Sequence, residues 1–121
     1  MSYNFNDETP IYLQIIEHIK MQIISEKYLP KQKLPSVREL SFEFEVNPNT
    51  VQKALSELEN IGMIFTERTN GKFVTDNEAH IADIKKQTMQ KMIDDFYMSM
   101  EKIGIDRERV LQILIDERSK K

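Results

Sequence analysis

Asn49, Gln52, Lys53 and Ser56 recur at three-and-four spacing, which places them along one side of a helix. Solvated helix faces normally mix charge signs, yet this one holds two carboxamides, an ammonium and a hydroxyl and no acid. These groups bond to base edges and phosphates: a carboxamide donates to and accepts from adenine at once, whereas an ammonium meets guanine or a phosphate. On the opposite side Val51, Ala54, Leu55 and Leu58 repeat at the spacing of a buried stripe. Residues 47–61 therefore read as a short helix that presents a nucleic-acid-reading face. Asn47 is suited to cap its start, Pro48 fits the first helical position, and Gly62 closes it.

Other chemistries find less support. His18 and His80 have no cysteine or second histidine at ligand spacing, so no zinc site is expected. Asp94 and Asp95 are neighbours in sequence and point about 100° apart on a helix, poor geometry for a shared metal or an acid/base pair. Met89, Met92, Met98 and Met100 carry soft sulfur, but their setting favours helical core over a copper site or ligand pocket. There is no glycine-rich phosphate loop and no Ser/His/Asp set in a plausible framework. Neither a cofactor nor enzymatic activity is expected.

At 121 residues the chain can form one compact domain, or a small domain with an appendage. It contains no cysteine, which excludes disulfide scaffolds, thiolate metal sites and cysteine nucleophiles. The net charge of −3 means that any DNA contact must come from local basic patches, not from the overall field. The opening ten residues lack the basic start and apolar run of an export signal, and no apolar stretch is long enough to cross a bilayer. A cytoplasmic location and no membrane partner are the expectation.

The elements that must position the polar stripe follow from the pattern on either side. Thr9 and Pro10 start a helix in which Ile11, Ile15, Ile16, Ile19 and Ile23 recur, running to about Lys27. Residues 28–34 break the period at Pro30 and read as a connecting loop bearing Lys31 and Lys33. Ser36 and Glu39 have capping-box spacing, and Val37, Leu40 and Phe44 form the inner face of the helix they open. Glu45-Val46 leaves room only for a sharp corner before Asn47, so the two helices form a helix-turn-helix. Strand formers then fill residues 63–67 and 72–75 around Arg68-Thr69-Asn70-Gly71, and Asn-Gly signals a hairpin because both residues tolerate positive φ. A helix-turn-helix followed at once by a hairpin is a winged helix, with Arg68 and Lys72 placed where a wing meets a backbone or minor groove.

Beyond the hairpin, a long helix is expected from about Glu78 to Ile103, closed by Gly104, and Asp106 caps a last helix. In that last helix Val110, Leu111, Ile113, Leu114 and Ile115 cover more of the circumference than one packing face requires. A tail of roughly 45 residues is too small to bury a core alone. It should pair with a second copy, through Met92, Phe96, Met100, Val110, Leu111 and Leu114. Residues 119–121 are expected to fray. The expected architecture is mainly α with a small β-hairpin: a winged helix-turn-helix domain over residues 1–76 and a two-helix dimerisation region over 77–121.

Residues 10–75 resemble the DNA-binding domain of the GntR family of bacterial transcription regulators. The match lies in Leu34-Pro35-Ser36-Val37-Arg38-Glu39-Leu40, Val46-Asn47-Pro48-Asn49-Thr50-Val51-Gln52-Lys53-Ala54-Leu55, Gly62-Met63-Ile64 and Gly71-Lys72-Phe73-Val74. The short tail and the Asn-Pro-Asn-Thr-Val wording look like the YtrA-type branch, which implies a dimeric repressor of the kind often associated with transporter operons. The resemblance carries Arg38, Thr50 and Gly71 over as DNA-contacting positions. Lys31 stands where the family often has Gly, Pro48 and Gln52 stand where many relatives outside this branch carry Arg, and Thr69 stands where Gly is common.

Together these readings give a candidate DNA-binding set of Lys33, Ser36, Arg38, Asn47, Asn49, Thr50, Gln52, Lys53, Arg68, Asn70, Gly71 and Lys72. The expected partners are a double-stranded, two-fold DNA operator and a second copy of the chain, with any small-molecule effector unknown. The alternative is a winged helix that holds another protein without reading DNA, its polar stripe facing that partner; a soluble enzyme ranks third.

Overall fold

In the computed structural model, which describes residues 5–120, the order of elements is α1 (Ile11–Ile24), α2 (Val37–Phe44), α3 (Pro48–Asn60), β1 (Ile64–Glu67), β2 (Gly71–Val74), α4 (Glu78–Lys102) and α5 (Arg107–Ser119). Contacts divide the chain into two units, one ending at Ile84 and one beginning at Lys85, so α4 runs through both.

The first unit is built on apolar stripes. Ile15, Ile19 and Ile23 of α1 meet Leu40 and Phe44 of α2 and Val51, Ala54, Leu55 and Leu58 of α3, with Met63, Ile64 and Val74 closing the core from the hairpin. Full burial of one such side chain contributes about 1.5–3 kcal/mol, enough to fix the phase of α3. With its apolar stripe buried, the opposite stripe has only solvent to face. Ile81 and Ile84, on the first turns of α4, also pack against this core.

Two short connections set the helix angles. Glu45 takes the left-handed conformation at φ 59, and the Val46 amide donates back to the Ser41 carbonyl at 3.0 Å, which closes α2 and turns the chain into α3. Asn47 then caps α3, its Oδ1 accepting the Asn49 amide at 2.7 Å. At the far end of α3, Gly62 has φ +79 and lies under the His80 ring; the His80 Nε2 donates to the Ile61 carbonyl at 2.7 Å. A Cβ on Gly62 would approach that nitrogen to 3.2 Å.

Three local expectations are corrected. α1 ends at Ile24, not near Lys27, because Glu26 turns left-handed and the amides of Lys27 and Tyr28 both fold back to the Gln22 carbonyl. Residues 31–34 are not a free loop. The Lys31 amide donates to Val74 O (3.0 Å), the Val74 amide to Gln32 O (2.9 Å) and the Leu34 amide to Lys72 O (2.8 Å), while Lys33 pairs with Phe73, so the segment forms a third edge on the hairpin. The hairpin itself, registered Thr66 opposite Lys72 and Glu67 opposite Gly71, has a three-residue connection. Of Asn70 and Gly71 only Gly71 has positive φ, at 106. Asn70 donates its side chain to Glu67 Oε2 at 3.1 Å instead.

In the second unit Gly104 turns left-handed and Asp106 caps α5 by accepting the Arg109 amide at 2.9 Å. The Arg107 guanidinium ties the start of α5 to α4, 3.6 Å from Asp94 Oδ1 and 4.4 Å from the centre of the Tyr97 ring. Asp95 pairs separately with Lys91 at 2.7 Å, so the two adjacent acids serve different partners. Val110 does not lie on an outward surface, as expected of a dimer contact; it is 4% exposed within one protomer. The methionines expected as helical core are instead open, with Met89, Met92 and Met98 more than half exposed and Met100 half-buried.

α5 stays helical through Ser119, so the fraying expected there is absent at that residue. Lys121 and the first four residues of the opening stretch lie outside the described residues. Among the described residues no helix is long and apolar enough to cross a membrane, and no cluster of His, Cys, Asp or Glu could hold a metal ion.

Candidate nucleic-acid interface

The face of α3 left over after packing carries Asn49, Gln52, Lys53 and Ser56, all exposed. Gln52 Nε2 donates to Ser56 Oγ at 3.3 Å, a weak bond one turn along the same stripe. Lys53 extends toward α1, where its ammonium lies 3.9 Å from the centre of the Tyr12 ring. Thr50 is half-buried at the edge of the stripe, and Asn47 is exposed with its oxygen committed to the cap and its amide group still able to donate.

The start of α2 is fixed by a reciprocal bond pair: the Ser36 amide donates to Glu39 Oε1 at 2.9 Å and the Glu39 amide to Ser36 Oγ at 3.0 Å. Hydrogen bonding from Ser36, backbone first and then side chain, holds the Glu39 carboxyl below its ordinary range, with a smaller contribution from the Lys33 charge. Arg38 follows, exposed on α2, and lines a shallow depression with Ser41 and Phe42. Phe42 is 87% exposed.

Between the α2 start and the hairpin runs a groove of about 350 Å³. Lys33, Ser36, Arg68, Asn70, Gly71 and Lys72 all line it, so residues far apart in sequence converge on one surface. Its charged residues are three cations against Glu39 and Glu67, a local basic excess in a chain that is acidic overall. Gly71 keeps the wing close to the Lys33 stem: a Cβ there would stand 3.3 Å from Lys33 Cε.

Lys72 differs from the expectation of a cation turned outward. Its side chain is 18% exposed, and its ammonium donates to Thr66 Oγ1 at 2.8 Å and pairs with Glu59 Oε1 at 3.2 Å. The register explains this, because Thr66 and Lys72 are cross-strand partners and so share the hairpin face that meets Glu59 of α3. The sequence pattern did not single out Tyr12, Glu59, Thr66 or Phe42. Each becomes visible only through a partner distant in sequence or, for Phe42, through its exposure.

Residues 11–74 match the profile described as bacterial regulatory proteins, gntR family. The chain is 42% identical over 99 residues to the transcriptional repressor YtrA of Bacillus subtilis, covering 77% of this chain and 76% of that one. A GntR family transcriptional regulator from Listeria monocytogenes superposes with a TM-score of 0.84 at 36% identity, over 93% of this chain and 98% of that one. The DNA-binding domain of AraR, solved in complex with an operator, superposes with a TM-score of 0.57 at 30% identity over 62% of this chain and 95% of that one. A profile that spans more than half of the sequence, with relatives that match over most of their length, settles the lineage: the chain belongs to the gntR family of bacterial regulatory proteins.

Proposed function

We propose that this chain is a sequence-specific, DNA-binding transcriptional repressor that works in the cytoplasm as a homodimer on a two-fold duplex operator. The observation that carries the reading is the exposed stripe of Asn49, Gln52, Lys53 and Ser56 on α3, polar groups with no acid among them. In this reading Asn49 and Gln52 bond base edges in the major groove, and Lys53 meets guanine or a phosphate. Lys33, Ser36, Arg38, Asn47, Thr50, Arg68, Asn70 and Gly71 set the register on the backbone. Lys72 belongs to the same wing. Residues 1–76 read the DNA, and residues 77–121 join two copies. That YtrA is a repressor and that the AraR domain binds an operator support repression and duplex binding.

The test is to select bound fragments from genomic DNA and titrate the enriched duplex across a range of salt. Phosphate neutralisation releases counterions, so affinity should fall linearly on a log–log plot, with a slope of about −0.9 per phosphate contacted. A chain that enriches no sequence and ignores salt would instead be a winged helix that holds a protein.

A further inference from the structure

We infer that Glu59 is a positioning residue for DNA recognition, locking the wing to the end of the recognition helix through Thr66 and Lys72, so that Lys72 serves this lock and not a phosphate. The inference rests on the DNA-binding reading above and names what holds two parts of that surface in register.

Three bonds close a triangle across three elements. Thr66 Oγ1 of β1 donates to Glu59 Oε1 of α3 at 2.9 Å. Lys72 Nζ of β2 donates to Thr66 Oγ1 at 2.8 Å and to the same Glu59 oxygen at 3.2 Å. The Thr66 hydroxyl thus spends its one proton on the carboxylate and offers its oxygen to the ammonium, a satisfied arrangement for all three groups. Hydrogen bonding from Thr66 holds the Glu59 carboxyl below its ordinary range, opposed by burial and assisted by the Lys72 contact.

An isolated exposed ion pair holds little, but a network with shared geometry holds more. Both strands of the hairpin are gripped by one carboxylate, while the opposite hairpin face is occupied by Phe65 and Phe73, stacked at 5.7 Å. The chain leaves α3 through the left-handed turn at Gly62, and the triangle adds a direct side-chain tie between helix and wing to that turn, to the core beneath it and to the pairing of residues 31–34 with β2. A wing already in place does not have to be ordered on binding, which raises affinity without any new contact.

The inference reverses a simple electrostatic expectation. Removing an acid beside DNA should tighten binding, yet losing the lock should weaken it. The test uses the full chain with Glu59→Gln, Lys72→Gln, their double variant, and Thr66→Val, which breaks the triangle without changing any charge. Without DNA, amide exchange at Phe65 and Phe73, the cross-strand pair that bonds across the ladder because Lys72 and Val74 turn their backbone to residues 31–34, should rise several-fold in each single variant and no further in the double, while the melting temperature stays close to wild type. With the enriched duplex, each single variant should bind about three- to tenfold more weakly, at an unchanged slope of affinity against salt. Tighter binding by Glu59→Gln, a slope flattened by about one phosphate in Lys72→Gln, or unaltered wing exchange would each overturn the lock. Failure of the wild type to bind any duplex would remove the DNA reading itself, a result distinct from all three.

Discussion

The Lys53 ammonium stands 3.9 Å from the centre of the Tyr12 ring, so the only cation of α3 is steered by an aromatic from α1. Such a contact at an exposed site contributes about 0.5–1 kcal/mol and narrows where the ammonium can reach. Tyr12→Leu keeps an apolar side chain at this half-buried position and should weaken duplex binding about two- to fivefold with little change in melting temperature. In a Lys53→Ala background the same substitution should have no further effect. Titrations of the four proteins on one duplex check this, and an equal loss with and without Lys53 would make Tyr12 a packing residue only.

Lys31 adopts φ 69, and its amide is held by the Val74 carbonyl at 3.0 Å. Left-handed backbone costs a residue with a Cβ roughly 1–2 kcal/mol, a cost glycine avoids. Part of that relief is offset by the extra freedom of glycine in the unfolded chain. Lys31→Gly should therefore be at least as stable as wild type, by up to about 1 kcal/mol, while the β-branched Lys31→Val should lose about 1–2 kcal/mol. Denaturant midpoints decide it. Equal losses in both variants would mean that the lysine side chain, not the backbone, holds this turn.

What was legible in the sequence is what the chain decides locally. The stripe of Val51, Ala54, Leu55 and Leu58, the Ser36/Glu39 capping box and the Asn47 cap each involve residues within a few positions of one another, and the structure forms all of them. The pairing of residues 31–34 with β2 was not legible, since four residues between Pro30 and Pro35 are too few to display a period. Nor were the Lys53–Tyr12 and Lys72–Glu59 contacts, which join different elements whose meeting depends on helix angles and hairpin register. In α5 the apolar residues surround the helix, so periodicity alone could not tell inward Val110 from exposed Leu111.

Acid should weaken the fold in two steps. The His18 ring packs edge-on against Phe44 at 5.5 Å, and burial pushes its pKa below the ordinary 6.5, opposed by Glu43 and assisted by Lys27. The unfolded chain therefore takes up this proton more readily, so the contribution of His18 is complete above about 6.5 and is lost as pH falls through the lower folded value. Glu39 and Glu59 are also held low, so their contributions are present above the unfolded value of 4.5 and disappear as pH falls through their folded values. Melting temperature should be flat near neutrality, decline below about pH 6.5, and decline again below about pH 4.5. His18→Gln should remove the first decline and keep the second. A first decline that survives this substitution would assign it to another group.

Gln52 is the residue expected to carry sequence readout. Its carboxamide is exposed and holds only the 3.3 Å bond to Ser56, which a base edge can replace at small cost. Losing one bidentate contact to adenine costs about 1–3 kcal/mol on the preferred duplex and little on scrambled DNA. Gln52→Ala should therefore compress the ratio between the two affinities while the melting curve stays put. Equal losses on both duplexes would make Gln52 a backbone-positioning residue.

The tail gives the last expectation, because its two kinds of apolar residue make opposite demands. Leu111 and Leu114 are 52% and 47% exposed, and Met92 and Phe96 are 58% and 40% exposed, within a single copy. Covering such surface is favourable by roughly 25 cal/mol per Å², so the wild type should scatter light as twice the 14.3 kDa chain. Leu111→Glu combined with Leu114→Glu should yield the single-chain mass without lowering the stability of the first unit, whose core lies before residue 85. Val110 is already buried in its own protomer, so Val110→Ala should loosen the tail first and weaken pairing only through that loosening. On a two-fold operator the paired glutamate variant should still occupy one half-site, with the affinity of a single reading head and without the gain of a linked second one. A wild-type monomer at micromolar concentration, or a glutamate variant that still scatters as a pair, would place the joining surface somewhere other than this tail.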